Sequence, residues 1–188
     1  MRRALAALLL VIALPAFAAD KVFTPDTYHT HIGFKAKTLL FGVDGSFKSY
    51  KVDIKGDPDT LNPVFVTFSI DVDSIDTGIE ARDKHLKSAD FFDAAKYPKI
   101  TFTSDKAWKQ DGKVMVAGTL TMHGVSKAMT LSFDPAFGKN GAGTDTWSYE
   151  AQFTLNRKDF SLGGSDIAAK ISLKDSVDVD VMLVGFFH

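Results

Sequence analysis

The chain has 188 residues, with 22 Lys and Arg against 23 Asp and Glu, a formal charge of −1, and no cysteine. That composition excludes thiolate catalysis, cysteine metal sites and a disulfide framework, and a near-neutral chain without a basic stripe is a poor nucleic-acid binder. Sixteen Phe require a large apolar interior, a large apolar pocket, or both.

The N-terminus reads as a secretory signal peptide over residues 1–18. Arg2 and Arg3 form its basic region, and residues 4–14 are an apolar stretch too short to span a bilayer comfortably. Ala16-Phe17-Ala18 is a small-x-small cleavage site, so cleavage is expected before Ala19. The two Arg lack the polar context of a twin-arginine signal, which points to ordinary export and a periplasmic location. The mature chain, residues 19–188, suits one domain and is long enough to bury a core without staples.

Period-two alternation dominates the mature chain. Strands are expected near 28–37, 43–55, 63–73, 98–109, 113–122, 127–136, 147–156 and 170–186, each with one buried and one wet face. The pattern is plainest at 64–72, where Val64, Val66, Phe68, Ile70 and Val72 oppose Phe65, Thr67, Ser69 and Asp71. Asp111-Gly112 reads as a two-residue hairpin turn, His123-Gly124 as the next turn, and residues 138–145 as a polar loop.

Residues 77–93 interrupt the strands. Thr77 with Glu80 has the spacing of a capping box, and Asp83 with Lys87 that of an i,i+4 ion pair. Ser88 is placed to cap a second short turn carrying Phe91 and Phe92, and Tyr97-Pro98 returns the chain to extended backbone. Eight sequential antiparallel strands with one apolar face each should curl until that face is enclosed, which also removes exposed edges. The predicted fold is therefore all-β: an eight-stranded antiparallel barrel with one short helical insertion between its third and fourth strands, over one end. An eight-stranded interior is filled by side chains or holds one small ligand, and periodicity does not choose between these.

Chemistry-bearing groups are few. His29 and His31, two apart on an expected strand, have the spacing of a two-histidine metal pair, with His85 or an acid as third ligand, although no third ligand has a diagnostic spacing. Asp71, Asp73 and Asp76 form an acidic cluster in which Asp76 is placed to accept backbone amides at the helix start. Arg82, Asp83 and His85 read as a polar network that fixes the helix to the barrel rather than as a catalytic set. No catalytic residue, metal site or cofactor is assigned.

Six stretches carry a family resemblance: SIDT at 74–77, RDKHLKSADFFD at 82–93 and YPKITFTS at 97–104, and more weakly HTHIGF at 29–34, GTLTMHGVSKAMTL at 118–131 and NRKDF at 156–160. The chain resembles the YceI-like family of secreted polyisoprenoid-binding proteins over nearly the whole mature chain. Thr30 and Thr38 stand where the family usually has Ser and often a second His. The resemblance implies a lipocalin-like barrel around a long isoprenoid, such as a polyprenyl or quinone tail, or a similar amphiphile. On that reading the tunnel is lined by Ile32, Phe34, Phe47, Val66, Phe68, Ile70, Phe102, Leu120, Phe133, Trp147, Tyr149, Phe153 and Leu155. The mouth or lid is formed by His29, Arg82, Asp83, His85, Leu86, Phe91 and Phe92. The protein is then a non-enzymatic carrier or store; a metal enzyme using His29 and His31, or a stress-related protein acting by protein contacts, is the alternative. The expected partner is the lipid, with transient membrane contact and a homodimer both open.

Overall fold

A computed structural model of the chain describes residues 21–61, 64–164, 166, 169 and 172–188. The expected signal peptide lies outside the described residues. The strands are β1 (Phe23–Pro25), β2 (His31–Thr38), β3 (Gly42–Phe47), β4 (Tyr50–Gly56), β5 (Val64–Asp71), β6 (Ile75–Asp76), β7 (Lys99–Gln110), β8 (Lys113–Met122), β9 (Val125–Lys139), β10 (Asp145–Asn156) and β11 (Leu173–Phe187). The helix α1 (Glu80–Lys87) lies between β6 and β7.

These elements resolve into eight long passes. The stretch expected as one strand near 43–55 is interrupted at Lys48 and Ser49, which divides β3 from β4. Its partner is interrupted by a 3-10 turn at Val72–Ser74, which divides β5 from β6. The ladder nevertheless continues across both breaks. Phe47 opposes Ile75, the Lys48 amide donates to the Ser74 carbonyl, the Asp71 amide donates to the Ser49 carbonyl, and Tyr50 opposes Ile70. From there antiparallel pairing runs through β7, β8, β9, β10 and β11 to β2, and β2 pairs with β3. The strand order thus returns on itself, with β9 and β10 joined only over residues 134–139 and 145–150. Short β1 lies outside this ring, pairing with the end of β11 while Val22 bridges to Lys55 of β4.

The turns follow their chemistry. Asp111 and Gly112 both have positive φ (51° and 79°) between the paired residues Gln110 and Lys113, the geometry of a two-residue hairpin. His123 and Gly124 repeat it, and His123 Nδ1 lies 3.0 Å from the Phe160 carbonyl, tying that hairpin to the 3-10 helix Arg157–Phe160. Strand β9 exchanges partners along its length, pairing with β8 up to Phe133 and with β10 from Asp134. Pro135, which has no amide to give a ladder, falls beside that exchange.

Two details at the insertion differ from the sequence reading. The helix begins at Glu80 behind Ile79, with no side-chain cap, so the Thr77–Glu80 capping box does not form. Asp83 turns to Thr77 instead of Lys87: it accepts from the Thr77 amide at 2.9 Å and from the Thr77 hydroxyl at 2.5 Å. Asp76 accepts from the Gly78 amide at 2.8 Å, and that bond holds its carboxyl below the usual value.

Candidate functional site

The inward faces of the strands enclose an apolar cavity of about 170 Å³ at the α1 end of the barrel. Ile32, Phe34 and Ala36 of β2, Phe47 of β3, Phe68 and Ile70 of β5, and Ile100 and Phe102 of β7 form one side. Leu120 and Met122 of β8, Met129, Leu131 and Phe133 of β9, Phe153 and Leu155 of β10, and Leu173, Val177, Val179 and Val181 of β11 form the other. Leu86, Phe91, Phe92 and Leu162 roof it, and Thr101 and Arg157 are the polar residues in its wall. Small residues make room for the rings: a Cβ on Gly45 would fall 2.3 Å from Phe34 Cζ, so only glycine there lets the Phe34 ring lie across β3.

A second cavity of about 40 Å³ occupies the far end, between Ile54, Pro58, Leu61, Val66, Tyr149, Leu183 and Phe187 among others. Phe68 and Phe133 line both cavities and form the partition between them.

The sequence-predicted lining divides accordingly. Ile32, Phe34, Phe47, Phe68, Ile70, Phe102, Leu120, Phe133, Phe153 and Leu155 come together on the larger cavity. Val66 and Tyr149 sit on the smaller one, and burial pushes the Tyr149 phenol up to about 12. Trp147 borders neither cavity; its ring packs 4.8 Å from that of Phe137 and 5.4 Å from that of Phe187. Alternation identifies the inward face of a strand but not the depth along the barrel. The three were therefore indistinguishable from their neighbours.

The lid residues divide too. Leu86, Phe91 and Phe92 face the cavity, with Phe92 edge-on to Phe47 at 6.3 Å. His85 stands edge-on to Phe91 at 5.1 Å, and its Nε2 lies 3.1 Å from Asp166 Oδ2, joining α1 to the segment before β11. Arg82 and Asp83 do not line the cavity but fasten the start of α1. Arg82 donates to the Thr77 hydroxyl and carbonyl, both at 2.7 Å, and the same hydroxyl donates to Asp83.

His29 is not at this mouth. It lies in the turn before β2, at the opposite end of the barrel, with Nδ1 2.7 Å from Asp26 Oδ2. That contact, with the Tyr28 amide, holds the Asp26 carboxyl below its usual value. His31 opens β2 with Nε2 3.2 Å from Asp180. His29 thus precedes β2 rather than sharing the strand with His31, and each ring meets its own carboxylate. Among the described residues no group of three or more His, Asp or Glu converges as a metal site.

Arg157 is the wall residue that sequence reasoning missed as a site member. It is buried (3% exposed), and its guanidinium donates to the carbonyls of Leu162, Ala169, Leu173 and Lys174 and to Asp175. A buried cation needs such a full set of acceptors. Nothing in NRKDF distinguishes an inward Arg from a surface one before the segment is folded.

An antiparallel barrel of eight passes around an apolar cavity is a lipocalin-like fold. The chain belongs to the YceI-like family, whose YceI-like domain matches residues 23–184. A UPF0312 protein of Vibrio vulnificus is 37% identical over 143 residues, covering 75% of this chain and 74% of that protein. Among solved structures, BcnA of Burkholderia cenocepacia superposes with a TM-score of 0.76 at 26% identity, covering 87% of this chain and 100% of BcnA. A polyisoprenoid binding domain from Saccharophagus degradans shares the fold with a TM-score of 0.64 at 20% identity, covering 89% of this chain and 97% of that domain.

Proposed function

We propose that the protein is a non-enzymatic carrier or store for an isoprenoid lipid, polyprenyl or quinone-tailed, that works in the periplasm after removal of residues 1–18. The observation that carries this reading is the cavity itself: 170 Å³ of space walled by branched aliphatic and aromatic side chains. An engineered cavity of about 150 Å³ lined by such side chains stays dry and accepts apolar guests. A prenyl chain offers repeated branched apolar units, worth about 0.8 kcal/mol per buried CH₂ before ordering costs. The fold shared with the polyisoprenoid binding domain from S. degradans supports a ligand of this class. The polar groups near the roof serve architecture: Arg82, Asp83 and Thr77 bond one another, and Arg157 is consumed by carbonyls.

Native mass spectrometry of protein purified from membrane-containing cells tests the reading. A co-purified lipid mass that is lost in Phe153→Asp is the expected result. Protein without lipid in every preparation, or unchanged lipid in the variant, overturns it.

A further inference from the structure

We propose that the tip of the β2–β3 hairpin, residues 39–41, is a membrane-contact loop that enters the apolar layer of a lipid surface and sets the α1 end of the barrel against it. Leu39, Leu40 and Phe41 are consecutive, large and apolar, yet 71%, 91% and 61% exposed. Three such side chains held together in water mark an interaction site rather than scattered surface apolarity.

The amides of this tip already have partners within the chain. The Thr38 amide donates to the Phe41 carbonyl at 2.8 Å, and the Leu39 amide to the Ser172 carbonyl at 3.1 Å. The Leu40 and Phe41 amides both donate to the Thr38 hydroxyl, at 3.2 and 3.1 Å, and that hydroxyl donates to the Phe41 carbonyl at 2.9 Å. Unpaired amides are part of the cost of taking a loop into an apolar layer, and here all four are paired. Thr38 is the residue that organises this.

Shape and charge select a bilayer over a protein. The tip is a narrow convex turn, whereas a stable protein interface needs about 800 Å² from each partner. A bilayer closes around a convex tip and asks for no such area. The nearest charges on the hairpin lie below it and are paired, Lys35 with Asp44 at 3.2 Å and Lys37 with Asp178 at 2.6 Å. Contact should therefore not require anionic lipid and should change little with salt. Position gives the loop its purpose, which rests on the lipid-carrier reading. Thr38 pairs with Leu173, and Leu173 and Ala36 line the larger cavity, so the tip projects from the end at which that cavity lies.

The chain has no cysteine, so Leu40→Cys accepts a single environment-sensitive fluorophore. Ala142→Cys, exposed in the loop between β9 and β10 at the opposite end, serves as control. All proteins are taken as exported by one host, with the same N-terminus, and mixed with phosphatidylcholine vesicles carrying no prenyl lipid. The expected result is a blue shift at position 40, quenched by nitroxide on the lipid acyl chains, with no response at position 142. Replacing residues 39–41 together by Ser should lower vesicle co-sedimentation at least about tenfold, while uptake of a prenyl alcohol offered from solution is unchanged. Three results would each overturn the proposal: no shift at position 40, equal shifts at both positions, or a shift produced by protein concentration alone. An inserted loop on a protein that never carries lipid would instead count against the carrier reading and leave the contact standing.

Discussion

Arg157 carries a formal charge into the wall of a largely apolar cavity, and its acceptors are spread over Leu162, Ala169 and the start of β11. Four carbonyls and Asp175 are satisfied by one side chain. Arg157→Met keeps much of the volume but strips those carbonyls of their donor, at a cost of about 3 kcal/mol or more. The urea midpoint should fall accordingly, and Arg157→Lys should recover only part of the loss because an ammonium lacks the planar fork. Gly163 is the companion constraint. Its φ is 67°, and a Cβ there would stand 2.9 Å from the Phe91 ring and 3.0 Å from Arg157 Nη1. Gly163→Ala should therefore displace the Phe91 ring, which a change in its NMR shifts would report, and destabilise the fold by about 1 kcal/mol or more.

Thr77 joins the start of the insertion to two residues of α1, Arg82 and Asp83. The helix has no side-chain cap and no fully buried residue, so the bonds at its start add to what Leu86 on the cavity and His85 at Asp166 supply. The Thr77 hydroxyl accepts from Arg82 and donates to Asp83, and the turn before it is fixed by Asp76 and the Gly78 amide. Thr77→Val should loosen α1 with a global cost of only about 1 kcal/mol. Hydrogen exchange over 80–87 should rise while protection of β7 and β8 stays the same. Of the polar set expected from the sequence, Arg82 and Asp83 meet through Thr77 while His85 turns to Asp166. The capping box was not a sound guide, because the Thr77 hydroxyl had a closer claim from Asp83. Which of the three polar residues reaches the cavity end depended on Asp166, eighty-one positions from His85 in sequence and 3.1 Å away in space.

At the scale of the molecule, the interior is divided rather than continuous. Phe68 and Phe133 separate 170 Å³ from 40 Å³. Phe68→Ala should join the two spaces and let longer prenyl chains bind, seen as a shift in the chain length of co-purified lipid. A guest that fills the larger cavity should raise stability by up to about 4 kcal/mol, taking about 24 cal/mol per Å³ of void. Delipidated protein should melt correspondingly lower, and a melting temperature indifferent to lipid would place the ligand outside the barrel. The pH profile follows from groups at the surface and the core. Asp71, held low by Lys99 and Ser49, and Asp178, held low by Lys37 and Thr154, join Asp26 and Asp76 in having carboxyls below the usual value. Their folded values lie below the unfolded ones, so their contribution is present above about pH 4 and is lost as pH falls through the folded values. Tyr149, pushed up to about 12 by burial, works in the other direction. Its contribution is complete below about pH 10 and is lost as pH rises toward its folded value. Denaturant midpoints measured across both limbs should decline at each end.

The alternation of Val64 to Val72, the Asp111-Gly112 and His123-Gly124 turns and the helical interruption at 77–93 were enough to determine an antiparallel barrel of eight passes. Local backbone preference and the period of two are properties of adjacent residues. The motifs at 74–104 determined the family for the same reason, since they are contiguous. Tertiary structure alone decided the height of each inward ring, so that Trp147 and Tyr149 left the larger cavity while Leu131, Val179 and Leu162 entered it. It decided that His29 faces the far end, that Arg157 turns inward, and that residues 39–41 stay in water beside the cavity end. Each of these depends on the stagger of strands far apart in the chain, which no local pattern encodes.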